Sequence, residues 1–217
     1  MSRAKISKKP TDTDMTPFVD IAFLILSFFI MATKFKPAEA VPIVTPNSVS
    51  SQKMPDNDAV MISIDKDDKV YFSIMAQKDP QIARDIIKAA AQSRNITISD
   101  AQANAYFSGD MIGVPFTKLG QFLDLTSEDK KKYVQEGIPV KDSSNNELIT
   151  WIAATRTIYA GQVVKWLVKG DGTSKYPAFK AVIDALKKND EQKYNLVTMP
   201  QGAPEGTELW KERNTQK

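Results

Sequence analysis

Between Asp14 and Thr33 the chain reads DMTPFVDIAFLILSFFIMAT, and from Pro17 to Ala32 every residue is apolar except Asp20 and Ser27. Sixteen residues of α-helix span roughly 24 Å, and Thr16 and Thr33 lengthen the run slightly. That falls a little short of the roughly 30 Å hydrocarbon core of a bilayer, so the run predicts a short membrane-spanning helix over residues 15–34. Thr16 ahead of Pro17 reads as an N-cap followed by proline at the first helical position, where a missing N–H costs nothing.

Asp20 is the anomaly of this run. It lies one turn inside the helix, too deep for its short side chain to reach the headgroups easily. A carboxylate at mid-bilayer costs on the order of 2.5–3.5 kcal/mol, less near the interface, so anchoring does not explain it. Asp20 and Ser27 are seven residues apart, two helical turns, so the two polar side chains of the run share one face. An apolar surrounding favours a neutral, protonated carboxyl, which would let the group load and release a proton. The competing reading is an acid near the helix start, held there by the positive end of the helix dipole.

Composition narrows the chemistry. The chain has 217 residues, 42% hydrophobic and 25% charged, enough for one membrane helix and one soluble domain of ordinary size. Cysteine is absent, so disulfides, thiol nucleophiles and thiolate metal sites are excluded. Histidine is absent too, which excludes Ser-His-Asp and Cys-His catalysis and histidine-rich zinc sites. Proton chemistry must then run on carboxylates, lysines, hydroxyls or water. The formal charge of +3 is too small to argue for nucleic acid.

Thr16-Pro17-Phe18-Val19-Asp20 followed by an apolar helix resembles the signature of the ExbD/TolR family, the single-span subunits of proton-driven inner-membrane motors. The resemblance implies that Asp20 carries the proton; Thr16 and Pro17 at the helix start and Ser27 on the polar face are the residues expected to support it. It also implies two copies of the helix inside a ring of polytopic, ExbB-like subunits, and a TonB-like or Tol-type partner that spans the periplasm. On that reading the chain is not an enzyme and needs no cofactor.

Ahead of the helix, Arg3, Lys5, Lys8 and Lys9 precede the first acid at Asp12, a flank that favours a cytoplasmic N-terminus in the inner membrane. Ala38-Glu39-Ala40 has the look of a signal-peptidase site, but a signal's apolar region gains nothing from Asp20 or Pro17. Pro37, Pro42, Pro46 and Pro55 mark residues 35–58 as an extended linker, because each proline biases its predecessor away from helix. Within it, Val41 to Ser48 resembles the family's short extended segment ending in L-P-x-S, with Thr45 in place of the usual leucine. That likeness assigns Pro46 and Ser48 to a plug or gate just outside the membrane; a plain stiff tether is the alternative.

From Ala59 the pattern becomes globular. Val60, Ile62 and Ile64 alternate with Met61, Ser63 and Asp65, and Val70, Phe72 and Ile74 repeat the alternation after a polar turn, which predicts a hairpin of half-buried strands. Asp65 to Asp68 is no calcium loop, since Val70 and Ala76 stand where glycine and glutamate are needed. Asp79-Pro80 starts a helix through about Ser93. Residues 94–142 predict short helices near 100–106 and after Thr126, the latter ending at Gly137. The apolar patch Phe116, Leu119, Phe122 and Leu123 reads as satellite packing.

Ser144-Asn145-Asn146-Glu147 reads as a capping box ahead of a helix with Leu148, Ile149, Ile152 and Ala153 on its core face. A strand over Val163–Val168, a helix over Pro177–Lys188 and a strand over Tyr194–Met199 predict a parallel crossover. Leu167 to Asp171 and Tyr194 to Thr198 also resemble the family's C-terminal half, with Gly170 for the usual alanine and Asp171 as a turn residue.

The expected architecture is a single N-terminal transmembrane α-helix plus an α+β two-layer periplasmic domain, β-β-insert-α-β-α-β, over 59–199. A mobile tail over 200–217 would follow. The resemblance covers about 12–75 and 144–199 and leaves 79–142 as an insertion. The expected role is proton conduction in an ExbB/ExbD-type motor driving outer-membrane transport. The alternatives are a Tol-type or stator-like envelope protein on peptidoglycan, and a passive tethered domain.

Overall fold

The structure is a computed structural model that describes residues 15–32, 41–49, 54–55, 58–140, 145–202, 205 and 207. The basic N-terminal flank, Ala38-Glu39-Ala40 and Ser144 lie outside the described residues. Two compact units divide the chain, Met1–Pro37 and Ala38–Lys217.

The first unit holds one helix, α1 (Thr16–Ala32, 17 residues). It is apolar on every side and all its large apolar side chains are exposed, from 52% at Ile25 to 87% at Met31. Seventeen residues rise roughly 25 Å. No helix among the described residues is long and apolar enough to cross a membrane.

The second unit begins with β1 (Asn47–Ser48), the hairpin strands β2 (Ala59–Ile64) and β3 (Val70–Met75), and helix α2 (Pro80–Gln92). Three short helices come next: α3 (Asp100–Asn104), α4 (Phe116–Leu123) and α5 (Ser127–Lys132). The chain closes with α6 (Glu147–Ile158), β4 (Lys165–Gly170), α7 (Tyr176–Lys188), β5 (Tyr194–Val197) and β6 (Met199–Pro200). Four strands make one mixed sheet in the order β3-β2-β4-β5. The hairpin pair is antiparallel, and β2·β4 and β4·β5 are parallel. Val60, Ile62, Ile64, Val70, Phe72, Ile74, Trp166 and Val168 point to one face and pack beneath α2, α6 and α7. The expectation of a mixed α/β unit with helices packed on a sheet therefore holds, but the sheet is also covered on its other face.

Several local expectations are corrected. The strand expected at Val163 starts at Lys165, because pairing with β2 sets Ala59 opposite Lys165 and Ile64 opposite Gly170, and Val163 is left 84% exposed. The strand runs on to Gly170, and Trp166 belongs to its core face. The N-cap of α6 is Asn146, whose side chain accepts from the Leu148 amide at 3.0 Å. The central core residue of α6 is Trp151, and Ala153 is exposed. Helix α5 stops at Lys132, five residues before Gly137.

The largest correction concerns 79–142. Helix α2 is part of the helix layer, burying Ala83, Ile86, Ile87, Ala90 and Ala91. Phe116, Leu119, Phe122 and Leu123 are not satellites, since they lie in the same core cluster as the sheet. Trp151 stands between Phe116 (centroids 5.0 Å, planes 13° apart) and Phe72 (5.2 Å, 31°), which joins α4, α6 and β3 in one aromatic stack. Glu147 adds a polar tie: its buried carboxylate accepts the Phe116 amide at 2.9 Å and caps α4, whose own N-cap Pro115 has no side-chain donor or acceptor to offer.

The same segment wraps onto the opposite face of the sheet. Gly113 packs so closely on the Tyr71 ring that a Cβ there would sit 2.2 Å from it. The Gln135 side-chain oxygen accepts the Gly113 amide, and its amide group donates to the Met111 carbonyl at 3.1 Å. The strands expected to be half-buried are consequently buried on both faces, with Ser63, Asp65, Tyr71 and Ser73 all enclosed.

Truncating the stack should unfold the unit as a whole. Phe116→Ala is expected to cost about 3–5 kcal/mol in urea denaturation followed by tryptophan fluorescence. A loss below about 1 kcal/mol would restore the satellite reading.

Candidate functional site

The Met15 carbonyl accepts the amides of Phe18 and Val19, each at 3.1 Å, so Met15 occupies the cap position and Thr16 is the first helical residue. The expected Thr16 N-cap is corrected accordingly, and Pro17 falls at the second position, where its missing N–H still has no intrahelical acceptor to lose. Asp20 lies in the second turn with Thr16, Pro17, Val19 and Phe23 around it. It is the single ionisable side chain in α1, and its carboxylate makes no hydrogen bond among the described residues.

Ser27 shares the face of Asp20 but is roughly 10 Å along the axis, out of hydrogen-bond range. Its hydroxyl donates to the Phe23 carbonyl one turn back. This is the usual resting place for a serine hydroxyl in an apolar helix, where the backbone is its nearest acceptor. The structure therefore does not join Asp20 and Ser27 into one hydrogen-bonded pair.

The second candidate region, around Pro46 and Ser48, is extended as expected and docked rather than free. The Val44 amide donates to the Asp171 carboxylate at 2.9 Å, and the Gly172 amide donates back to the Val44 carbonyl at 2.9 Å. Three residues on, β1 pairs in parallel with β6, Asn47 opposite Met199 and Ser48 opposite Pro200. The Met199 amide donates to the Pro46 carbonyl at 2.9 Å and the Gln201 amide to the Ser48 carbonyl at 2.8 Å. Thr45 is buried between the two clasps in sequence. The expected tail accordingly starts paired at Met199 to Gln201, and most residues after Gly202 lie outside the described ones. Pro46 also borders a cleft of about 310 Å³ with Val168, Tyr176, Phe179 and Leu196.

Asp171 was legible only as a turn residue. It is one: its carboxylate takes the Thr173 amide at 2.9 Å and the Thr173 hydroxyl at 2.6 Å. It is also the clasp for Val44, 127 residues away in sequence. The Thr173 hydroxyl and amide, then the Val44 amide, hold its carboxyl below the usual aspartate range. Nothing in the local sequence Asp171-Gly172-Thr173 marks the distant partner.

With this geometry in hand, the family comparison decides the class. A family model described as biopolymer transport protein ExbD/TolR matches residues 7–201. The chain belongs to the ExbD/TolR family. The match runs through 79–142, the stretch expected to be an insertion, as well as α1 and the clasped segment. No curated protein and no solved structure shows a significant match. ExbD/TolR membership carries a role in biopolymer transport and energy coupling, in complexes with ExbB/TolQ-like and TonB/TolA-like proteins. Among the described residues no group of three or more acids, histidines or cysteines is placed to hold a metal ion.

The Asp171 clasp has a defined pH sign. A carboxyl whose folded value is depressed stabilises the fold above its unfolded value, about 3.9, and that contribution is lost as pH falls through the folded value. Hydrogen exchange at the Val44 amide should therefore stay slow at neutral pH and speed up only under acid below that range, beyond the intrinsic pH dependence of exchange. In Asp171→Ala it should be fast throughout, with the β2 and β4 amides unchanged.

Proposed function

We propose that this chain is the proton-conducting subunit of an ExbB/ExbD-type motor in a bacterial inner membrane. Helix α1 with its flanking residues spans the bilayer, the N-terminus is cytoplasmic, and the β2–β6 unit is periplasmic. The observation that carries the reading is α1 itself: one carboxylate, without a hydrogen-bond partner among the described residues, in a helix otherwise clothed in exposed apolar side chains. A helix apolar all round needs oil or protein around it, and an acid inside that surface marks a functional site.

Two copies of α1 sit within a ring of ExbB-like subunits, which supply the polar company Asp20 lacks in lipid. Protonation from the periplasmic side neutralises Asp20 and changes its preferred contacts. Release to the cytoplasm restores the charge. Each charge moved is worth about 2.3 kcal/mol per 100 mV of membrane potential.

The docked segment supports a mechanical link. Eleven residues, 33–43, separate α1 from the Val44 clasp, a reach of roughly 40 Å when fully extended. Motion of α1 then pulls on a folded unit through paired backbone at Val44 and Asn47–Ser48, and that unit engages a TonB-like partner. Pro46 and Ser48 lie in this pulled segment, where the family resemblance places a plug.

Asp20→Asn tests the reading. The variant should co-purify with the polytopic ring subunit as wild type does, and proton-driven transport should fall to the level of cells lacking the chain. Wild-type transport in an assembled Asp20→Asn complex would remove Asp20 from the proton path.

A further inference from the structure

Most outward backbone groups of β3 are partnered. The Val70 carbonyl accepts the Ile138 amide at 2.8 Å. Phe72 exchanges both of its outward bonds with Ile112, at 2.8 and 2.9 Å. The Ile74 amide donates to the Tyr106 hydroxyl at 2.8 Å, and its carbonyl accepts the Gly109 amide at 2.9 Å. The Ala76 amide donates to the Ser108 hydroxyl at 3.0 Å.

These partners come from loops, two side chains and one isolated bridge, not from a fifth strand. They are held in place from behind. The buried Lys130 amino group donates to the Ala105 carbonyl at 2.6 Å, and the Phe107 amide donates to the Asp110 carboxylate at 3.2 Å.

We propose that residues 105–140 are an edge guard, whose task is to keep a second copy of this chain from adding a strand to β3. Strand β3, Val-Tyr-Phe-Ser-Ile-Met, has five apolar or aromatic side chains among its six, with no charge and no proline. Such an edge, left open, is a template for strand addition and aggregation. The opposite edge, β5, is four residues long, and no strand among the described residues pairs with its outer side. Among the described residues the long apolar edge is covered and the short one is not.

The consequence is one of symmetry. With both edges open, β3 of one copy could pair with β5 of the next, a head-to-tail contact that repeats without closing and grows filaments. With β3 closed, sheet-to-sheet pairing between copies is confined to β5 against β5, which closes at two. The inference stands whether or not Asp20 carries protons, because it concerns the second unit alone.

The test loosens the guard through its side-chain clasps. Tyr106→Phe with Ser108→Ala removes the acceptors of the Ile74 and Ala76 amides, and Gln102→Ala, near the same segment but off the β3 edge, is the control. The full chain in detergent is followed by sedimentation velocity over a concentration series and by amide hydrogen exchange. The wild type and the control should stop at a pair or below.

The double variant should exchange Ile74 and Ala76 roughly tenfold faster, with the β2 and β4 amides unchanged, and should grow beyond a pair as concentration rises. The proposal is overturned if the edge amides open and the size distribution matches wild type. It is overturned equally if those amides stay as protected as before, or if the wild type itself grows without limit.

Discussion

The second unit depends on one aromatic stack. Trp151 of α6 lies against Phe72 of the sheet on one side and Phe116 of α4 on the other. Those three residues come from segments separated by 44 and 35 positions, so the contact fixes the hairpin, the long middle segment and the helix layer in a single step. Aromatic pairs in such arrangements contribute beyond their buried area, by about 0.5–1.5 kcal/mol each. The Trp151 ring nitrogen is buried and meets no hydrogen-bond partner among the described residues. An orphan donor of that kind costs about 1–3 kcal/mol, so packing at this point outweighs polar satisfaction. Trp166 on β4, whose ring nitrogen is likewise orphaned, is a second place where the core favours volume over hydrogen bonding.

What the sequence disclosed depends on the range of the interactions involved. The hairpin, α2, α7 and the rough position of β5 were all legible, because alternation, 3.6-residue periodicity and local caps are written within a few residues. Asp79 before Pro80 is such a signal, and the structure places its carboxylate on the Gln81 amide at 3.0 Å. The errors occur where a distant segment decides. The start of β4 moved by two residues because β2 sets its register. The capping reading of α6 shifts because Asn146 is the N-cap, which makes Glu147 the first helical residue, and Glu147 serves α4 instead. The middle segment looked peripheral because its apolar residues show no single period; they approach the core from short helices and loops, each contributing one or two side chains.

At the candidate site the same division applies. The apolar run and its acid are local facts and were read directly. The clasp of the linker was not, since it pairs Val44 with Asp171 and Ser48 with Gln201 across most of the chain. Extended backbone was foreseeable from the prolines, but where an extended segment docks is decided by the free backbone groups of its eventual neighbour, and no composition reveals those.

The acids of the chain sort into two kinds, and the contrast bears on Asp20. In the second unit Asp65 accepts the amides of Asp67 and Lys69 and the Tyr71 hydroxyl. Asp68 reaches across to the Lys175 amide at 2.7 Å and caps α7, which has no cap of its own. Glu147 and Asp171 likewise accept amides from far along the sequence. Each of these carboxylates is committed to fixed donors, and removing it leaves those donors without their acceptor. Such acids are staples and make poor carriers. A carrier must be able to gain and lose its proton without dismantling its surroundings, and that requires a carboxyl with no backbone amide committed to it. Asp20 differs from these staples: it lies in an apolar helix and makes no hydrogen bond among the described residues, so under the proposed function its polar partners come from another subunit.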